Sequence, residues 1–121
     1  MRTILVADDE ASVRRVLRAQ LETLSVDILE APDGPTALQL ARAARPDVVV
    51  LDLDMPGLNG FEVCTHLKGD EVTRDIPVFI LTGNAAADVQ GYAFGAGADG
   101  FFAKPGDLRA LRHVIAKFLD C

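Results

Sequence analysis

Five side chains in this sequence combine useful chemistry with suggestive placement: the adjacent pair Asp8-Asp9, then Asp52, Thr82 and Lys104. Each lies at or just past the end of a short apolar run: ILVA at 4–7, VVVL at 48–51, VFIL at 78–81 and FFA at 101–103. Three carboxylates brought within about 4–6 Å of one another would repel and resist full ionisation. A hard divalent cation removes that difficulty. Mg2+ takes oxygen ligands in an octahedron and often combines one or two carboxylates with phosphate oxygens. Lys104 adds a positive charge able to meet a phosphoryl oxygen, and the Thr82 hydroxyl can donate a hydrogen bond to the same group. An aspartate carboxylate is itself a nucleophile that forms acyl phosphates. Acceptor, cation, ammonium and hydroxyl together suit phosphoryl transfer to a carboxylate, chemistry that rests on positioning and charge neutralisation.

Such a site requires elements that end together. Strand candidates fall at 2–7, 26–31, 47–51, 77–82 and 99–103, and segments of helical period lie between them. The first helix, 11–24, places Val13, Val16, Leu17 and Leu21 on one face, leaving Arg14, Arg15 and Arg18 to solvent. Asp33-Gly34-Pro35 opens a second helix, about 35–44, with Leu38 and Ala41 inward. A third covers about 60–68, after a loop containing Pro56, Gly57, Asn59 and Gly60. The fourth, 85–95, is weakened by Gly91 and Gly95, each costing about 1 kcal/mol relative to Ala. Asp107 is expected to cap the last helix, with Leu108, Leu111, Ile115 and Phe118 inward. Residues 47–51, DVVVL, suit a central parallel strand covered on both faces. Strands alternating with helices imply an α/β fold with a doubly wound parallel sheet, whose ligands bind outside the carboxyl ends of the strands.

The bulk composition agrees with this reading. The 121 residues make one domain by size, and 18 acidic against 12 basic residues leave a net charge of −6. That sign disfavours direct contact with nucleic acid, whose phosphates are bound by clustered Lys and Arg. Cys64 and Cys121 form no CxxC and are read as reduced thiols. No apolar run approaches the roughly 20 residues of a membrane span, so the expected location is the cytoplasm. His66 and His113 have no partner at metal-ligand spacing and are read as surface residues.

The motifs ILVADDE at 4–10, VVVLDLDMPGLNG at 48–60, Thr82-Gly83 and GADGFFAKP at 97–105 appear in order, each at a strand end. Together they resemble the receiver domains of two-component response regulators, the CheY-like family, over essentially residues 1–121. The resemblance implies five strands in the order 2-1-3-4-5, flavodoxin-like, with five flanking helices. It makes Asp52 the phosphoacceptor, with Mg2+ held by Asp9 directly, by Asp8 through water, by Asp52 and by the backbone carbonyl of Asp54. Thr82 and Lys104 become the groups that meet the phosphoryl oxygens, and Phe101 takes the switch-aromatic position, where many relatives carry Tyr. Pro105 stands where the family often has a cis peptide bond. Asp54 and Asn84 fall at positions that tune phosphoryl lifetime.

The implied donor is a histidine kinase or a histidine phosphotransfer protein. The implied output is a protein target met through the face of helix 4, strand 5 and helix 5. Asp88 is the only charged residue in the fourth helix, so a charge-paired dimer is not expected; a monomer or weak dimer is. On this view the chain is a signalling switch that catalyses its own phosphorylation, not a turnover enzyme.

Three rival readings fit parts of the sequence. Asp52-Leu53-Asp54 reads as the DxD of haloacid-dehalogenase-like phosphohydrolases, but those place it after the first strand of a larger chain. An FMN carrier of similar fold needs a Ser/Thr/Gly-rich phosphate loop where this chain has DDEAS. The remaining alternative is a phosphorylation-independent pseudo-receiver, an interaction module with the same fold.

Overall fold

The computed structural model describes residues 2–83, 87–104 and 106–119, with backbone alone at 87–90. Ten elements alternate along the chain: β1 (Thr3–Ala7), α1 (Ala11–Leu21), β2 (Asp27–Ala31), α2 (Gly34–Ala44), β3 (Val48–Asp52), α3 (Gly60–Gly69), β4 (Val78–Thr82), α4 (Ala87–Gly95), β5 (Gly100–Ala103) and α5 (Leu108–Leu119). The five strands are all parallel, in the order β2-β1-β3-β4-β5. A short 3-10 turn, Glu22–Leu24, ends the first helical segment in place of a continuous helix to residue 24.

Alternation along the strands divides the core in two. Ile4, Val6, Val48, Val50, Phe79 and Leu81 pack with Leu17, Leu21, Leu111 and Ile115 of α1 and α5. Leu5, Ala7, Val49, Leu51, Val78 and Ile80 pack with Ala37, Ala41, Val63, Leu67 and Ala93 of α2, α3 and α4. Covered on both faces, β3 and β4 are buried at every position, which is why they read as unbroken apolar runs.

Two expected inner residues lie elsewhere. Val16 is 53% exposed, because Val13, Leu17 and Leu21 form the inward stripe of α1 and Val16 is rotated about 100° from Leu17. Phe118 is 42% exposed, although its ring meets Phe79 edge-on at 5.3 Å.

Helix starts are set by side chains. Asp33 accepts the Thr36 N–H at 2.7 Å with Pro35 in the first turn of α2. Asn59 and Glu62 form a reciprocal capping box at α3. Asp107 departs from expectation: its backbone carbonyl accepts the Leu111 N–H, but its carboxylate turns back to the Ala103 N–H at 2.9 Å. It ties α5 to the end of β5. No helix among the described residues is long and apolar enough to cross a membrane.

Glycines mark opposite demands. At Gly60 a Cβ would stand 2.7 Å from the Asp52 carbonyl oxygen, so only glycine lets α3 close against the end of β3. At Gly91, inside α4, a Cβ would meet nothing within 4 Å. Gly60→Ala is therefore expected to lower stability by about 1–3 kcal/mol, and Gly91→Ala to raise it by roughly 0.5–1 kcal/mol. Urea midpoints of the two variants check both signs.

Candidate functional site

Register alone brings the acids together. Ala7 pairs with Leu51, so Asp8 and Asp52 follow on neighbouring strands about 4.8 Å apart, the parallel-strand spacing. Thr82 pairs with Ala103 and places Lys104 one step beyond, where its N–H donates to the Thr82 carbonyl at 2.7 Å. The ends of β1, β3, β4 and β5 thus open onto one edge of the sheet.

Asp8 is fully buried. Its N–H donates to the Ala31 carbonyl at 3.0 Å, and its Oδ1 accepts the Glu10 N–H at 3.0 Å. Lys104 Nζ reaches Asp8 Oδ2 at 3.0 Å and Asp52 Oδ1 at 2.9 Å, bridging the two carboxylates. Asp9 is exposed, yet Asp8, Asp9 and Asp52 each offer an oxygen within 4.8 Å of the others. Thr82, buried, ends β4 beside them.

Burial pushes the Asp52 carboxyl up to about 6; Lys104 pulls it down, while Asp8 and Asp54 push it further up. Burial also works against the Lys104 ammonium, but its bonds to Asp52 and Asp8 outweigh that and raise its pKa. One ammonium thus faces two buried carboxylates and a third at the rim. The set is short of positive charge. Its donors are all carboxylate oxygens, matching a hard divalent cation, and it fits Mg2+ through Asp8, Asp9 and Asp52.

The other expected residues fall as follows. Asp54 lies on the loop after β3 with its side chain exposed. Phe101, opposite Ile80 in β5, is half-buried and packs against the core beneath α3 and α4. Asn84, Pro105 and Cys121 lie outside the described residues, as does the side chain of Asp88. Cys64 is buried, its thiol pushed up to about 11 by burial, consistent with an unreactive core residue. His66 and His113 are exposed.

The arginines of α1 are not a simple solvated face. Arg14 and Arg18 converge on Glu30 of β2, at 3.0 and 2.8 Å, and Arg14 Nη1 donates to the Asp8 carbonyl at 2.6 Å. Helical period could not reveal this, since Glu30 lies sixteen residues from Arg14 and on another element.

The topology defines a doubly wound, flavodoxin-like protein with an acidic cluster at the carboxyl edge of its sheet. A family model described as the response regulator receiver domain matches residues 4–116, and the chain belongs to that family, the receivers of two-component systems. It is 42% identical over 118 residues to a probable transcriptional regulator, ycf27, of Porphyridium aerugineum, covering 96% of this chain and 47% of that protein. A putative response regulator from Chloroflexus aurantiacus superposes with a TM-score of 0.92 at 27% identity, covering 99% and 98% of the two chains. The chemotaxis protein CheY4 of Vibrio cholerae superposes at 0.89, also at 27% identity, covering 98% of each. The chain spans half or less of the length of the curated relatives it matches.

The raised Asp52 pKa has a consequence for stability. The folded state holds this proton more tightly than the unfolded chain, whose value is near 3.8, so its contribution is present below about pH 4 and is lost as pH rises through about 6. Asp52→Asn removes the titration. The stability difference between Asp52→Asn and wild type, measured without divalent ions, is expected to grow in favour of the variant from pH 4 to pH 6. A difference independent of pH contradicts the assignment.

Proposed function

We propose that residues 1–121 act as a receiver that accepts a phosphoryl group on Asp52 from the phosphohistidine of a histidine kinase or phosphotransfer protein. The observation that carries this reading is Lys104 bridging Asp8 and Asp52 with the Asp9 carboxylate at hand. In the transfer an Asp52 oxygen bonds to phosphorus, the P–N bond breaks, and the imidazole leaves with the electron pair.

Mg2+, held by Asp8, Asp9, Asp52 and the Asp54 carbonyl, would neutralise the carboxylates and the phosphoryl oxygens. Lys104, already turned to Asp52, gains a phosphoryl oxygen as a partner, and the Thr82 hydroxyl donates to another. Asp54 and Asn84 are the positions we assign to setting the lifetime of the product.

Phosphorylation replaces a single charge on Asp52 by about two and adds acceptor oxygens. Drawing Thr82 toward them vacates space for Phe101, which shifts the face of α4, β5 and α5 that a downstream protein reads. This is a two-state equilibrium biased by local charge, with a coupling of about 1–3 kcal/mol. The glycine-broken α4 suits the moving part. The protein works as a cytoplasmic switch, not as a turnover enzyme. Its acidic surface is directed at proteins, and any nucleic-acid contact belongs to a partner or a further domain.

Incubation with acetyl phosphate and Mg2+ is expected to add one phosphate to the wild-type mass and none to Asp52→Asn, with no addition in excess EDTA. Lys104→Ala is expected to slow the addition by about 100-fold, the usual cost of one charge-stabilising group. Wild type that stays unlabelled, or that signals unchanged as Asp52→Asn, makes the chain a phosphorylation-independent module instead.

A further inference from the structure

Every polar group of Asp8 is engaged: N–H by Ala31, Oδ1 by the Glu10 N–H, Oδ2 by Lys104, and the backbone carbonyl by Arg14 Nη1. Arg14 has only 17% of its side chain exposed, and its Nε is spent on Glu30, the residue before Ala31. A closed circuit results. From Asp8 it crosses to Ala31 and Glu30 at the end of β2, returns through Arg14 on the second turn of α1, and ends on the Asp8 carbonyl.

We propose that Arg14, braced by Glu30, is a positioning residue that orients the Asp8–Asp9 peptide and so sets where the Asp9 carboxylate stands for the divalent cation. The inference rests on the cation site described above. A peptide unit is planar, so fixing the Asp8 carbonyl fixes the direction in which the chain leaves for Asp9. Asp9 is exposed and has no hydrogen bond or ion pair to another described residue, so its place is set by the two peptides that flank it, the first held by Arg14 at the Asp8 carbonyl and the second by Asp8 Oδ1 at the Glu10 N–H. Guanidinium suits the task because its fixed fork donates to a carbonyl and a carboxylate at once, which a lysine ammonium on a flexible stem does less rigidly. Groups behind the ligands that hold their direction commonly change metal affinity by 10- to 100-fold.

Arg18 is the natural control. It contacts the same Glu30, as well as Glu22 and the Ile28 carbonyl, but does not touch Asp8. The sign of the effect separates positioning from simple charge. Removing a cation near an acidic site should by itself tighten binding of a second cation, whereas loss of a positioning bond should weaken it.

The experiment is a calorimetric Mg2+ titration of wild type, Arg14→Met, Arg14→Lys, Glu30→Gln and Arg18→Met, with thermal unfolding in EDTA as the measure of folding. Expected are a roughly tenfold weaker affinity for Arg14→Met, partial recovery in Arg14→Lys, a smaller loss in Glu30→Gln, and unchanged or slightly tighter binding in Arg18→Met. Arg14→Met binding as tightly as wild type, or more tightly, overturns the inference. So does equal weakening by Arg14→Met and Arg18→Met. If Arg14→Met fails to fold, Arg14→Lys decides, because it keeps the charge and loses the fork: weaker binding than wild type supports the bracket and unchanged affinity overturns it. Wild type that binds no Mg2+ removes the cation site itself, an outcome distinct from a bound wild type and an indifferent Arg14.

Discussion

Two carboxylates buried on neighbouring strand ends cannot both be charged without a cation between them, and the rest of the site is arranged around that constraint. Asp8 and Asp52 are held there by β-sheet register, and the Lys104 ammonium is the positive group that reaches both. At about 3 Å and partly shielded from water, such attractions are several times stronger than at an open surface, but they are offset by the cost of stripping water from each ion. The balance leaves Asp52 reluctant to ionise. A site in that condition carries a deficit of positive charge, with three carboxylate oxygens close enough to share one cation.

The sheet supplies the rigidity this needs. Because all five strands run parallel, their carboxyl ends share one edge, and residues far apart in the chain arrive there without any loop having to search for them. Burial on both faces holds β3 and β4 in place, and Gly60 lets α3 seat directly against the backbone of Asp52. On the β2 side the network of Arg14, Arg18 and Glu30 closes the frame. On the other side the frame ends in α4, a nine-residue helix with two glycines in its last turns. One flank is braced by ion pairs and the other is a short helix interrupted by glycine.

Much of this was legible from residue order. Alternating apolar runs and helical periods located all ten elements to within a few residues, and strand-end placement singled out Asp8, Asp9, Asp52, Thr82 and Lys104. Misreadings came where a local rule met a non-local partner. Val16 matched the apolar period of α1 but rotates away from the core, and Asp107 matched an N-cap but spends its carboxylate on Ala103. The α1 arginines read as solvated because period reports which side of a helix a residue is on, not what the neighbouring strand presents to it.

The sequence by itself determined the alternation of strand and helix, the doubly wound class, and the kinds of group available at the strand ends. These follow from short-range patterns of side-chain polarity. Only the tertiary structure decided which charges touch: that one lysine serves both buried aspartates, that Arg14 grips the Asp8 carbonyl, and that Glu30 braces it. The reason is that polarity patterns repeat within an element, whereas contacts between elements depend on register and crossover geometry that no single segment encodes.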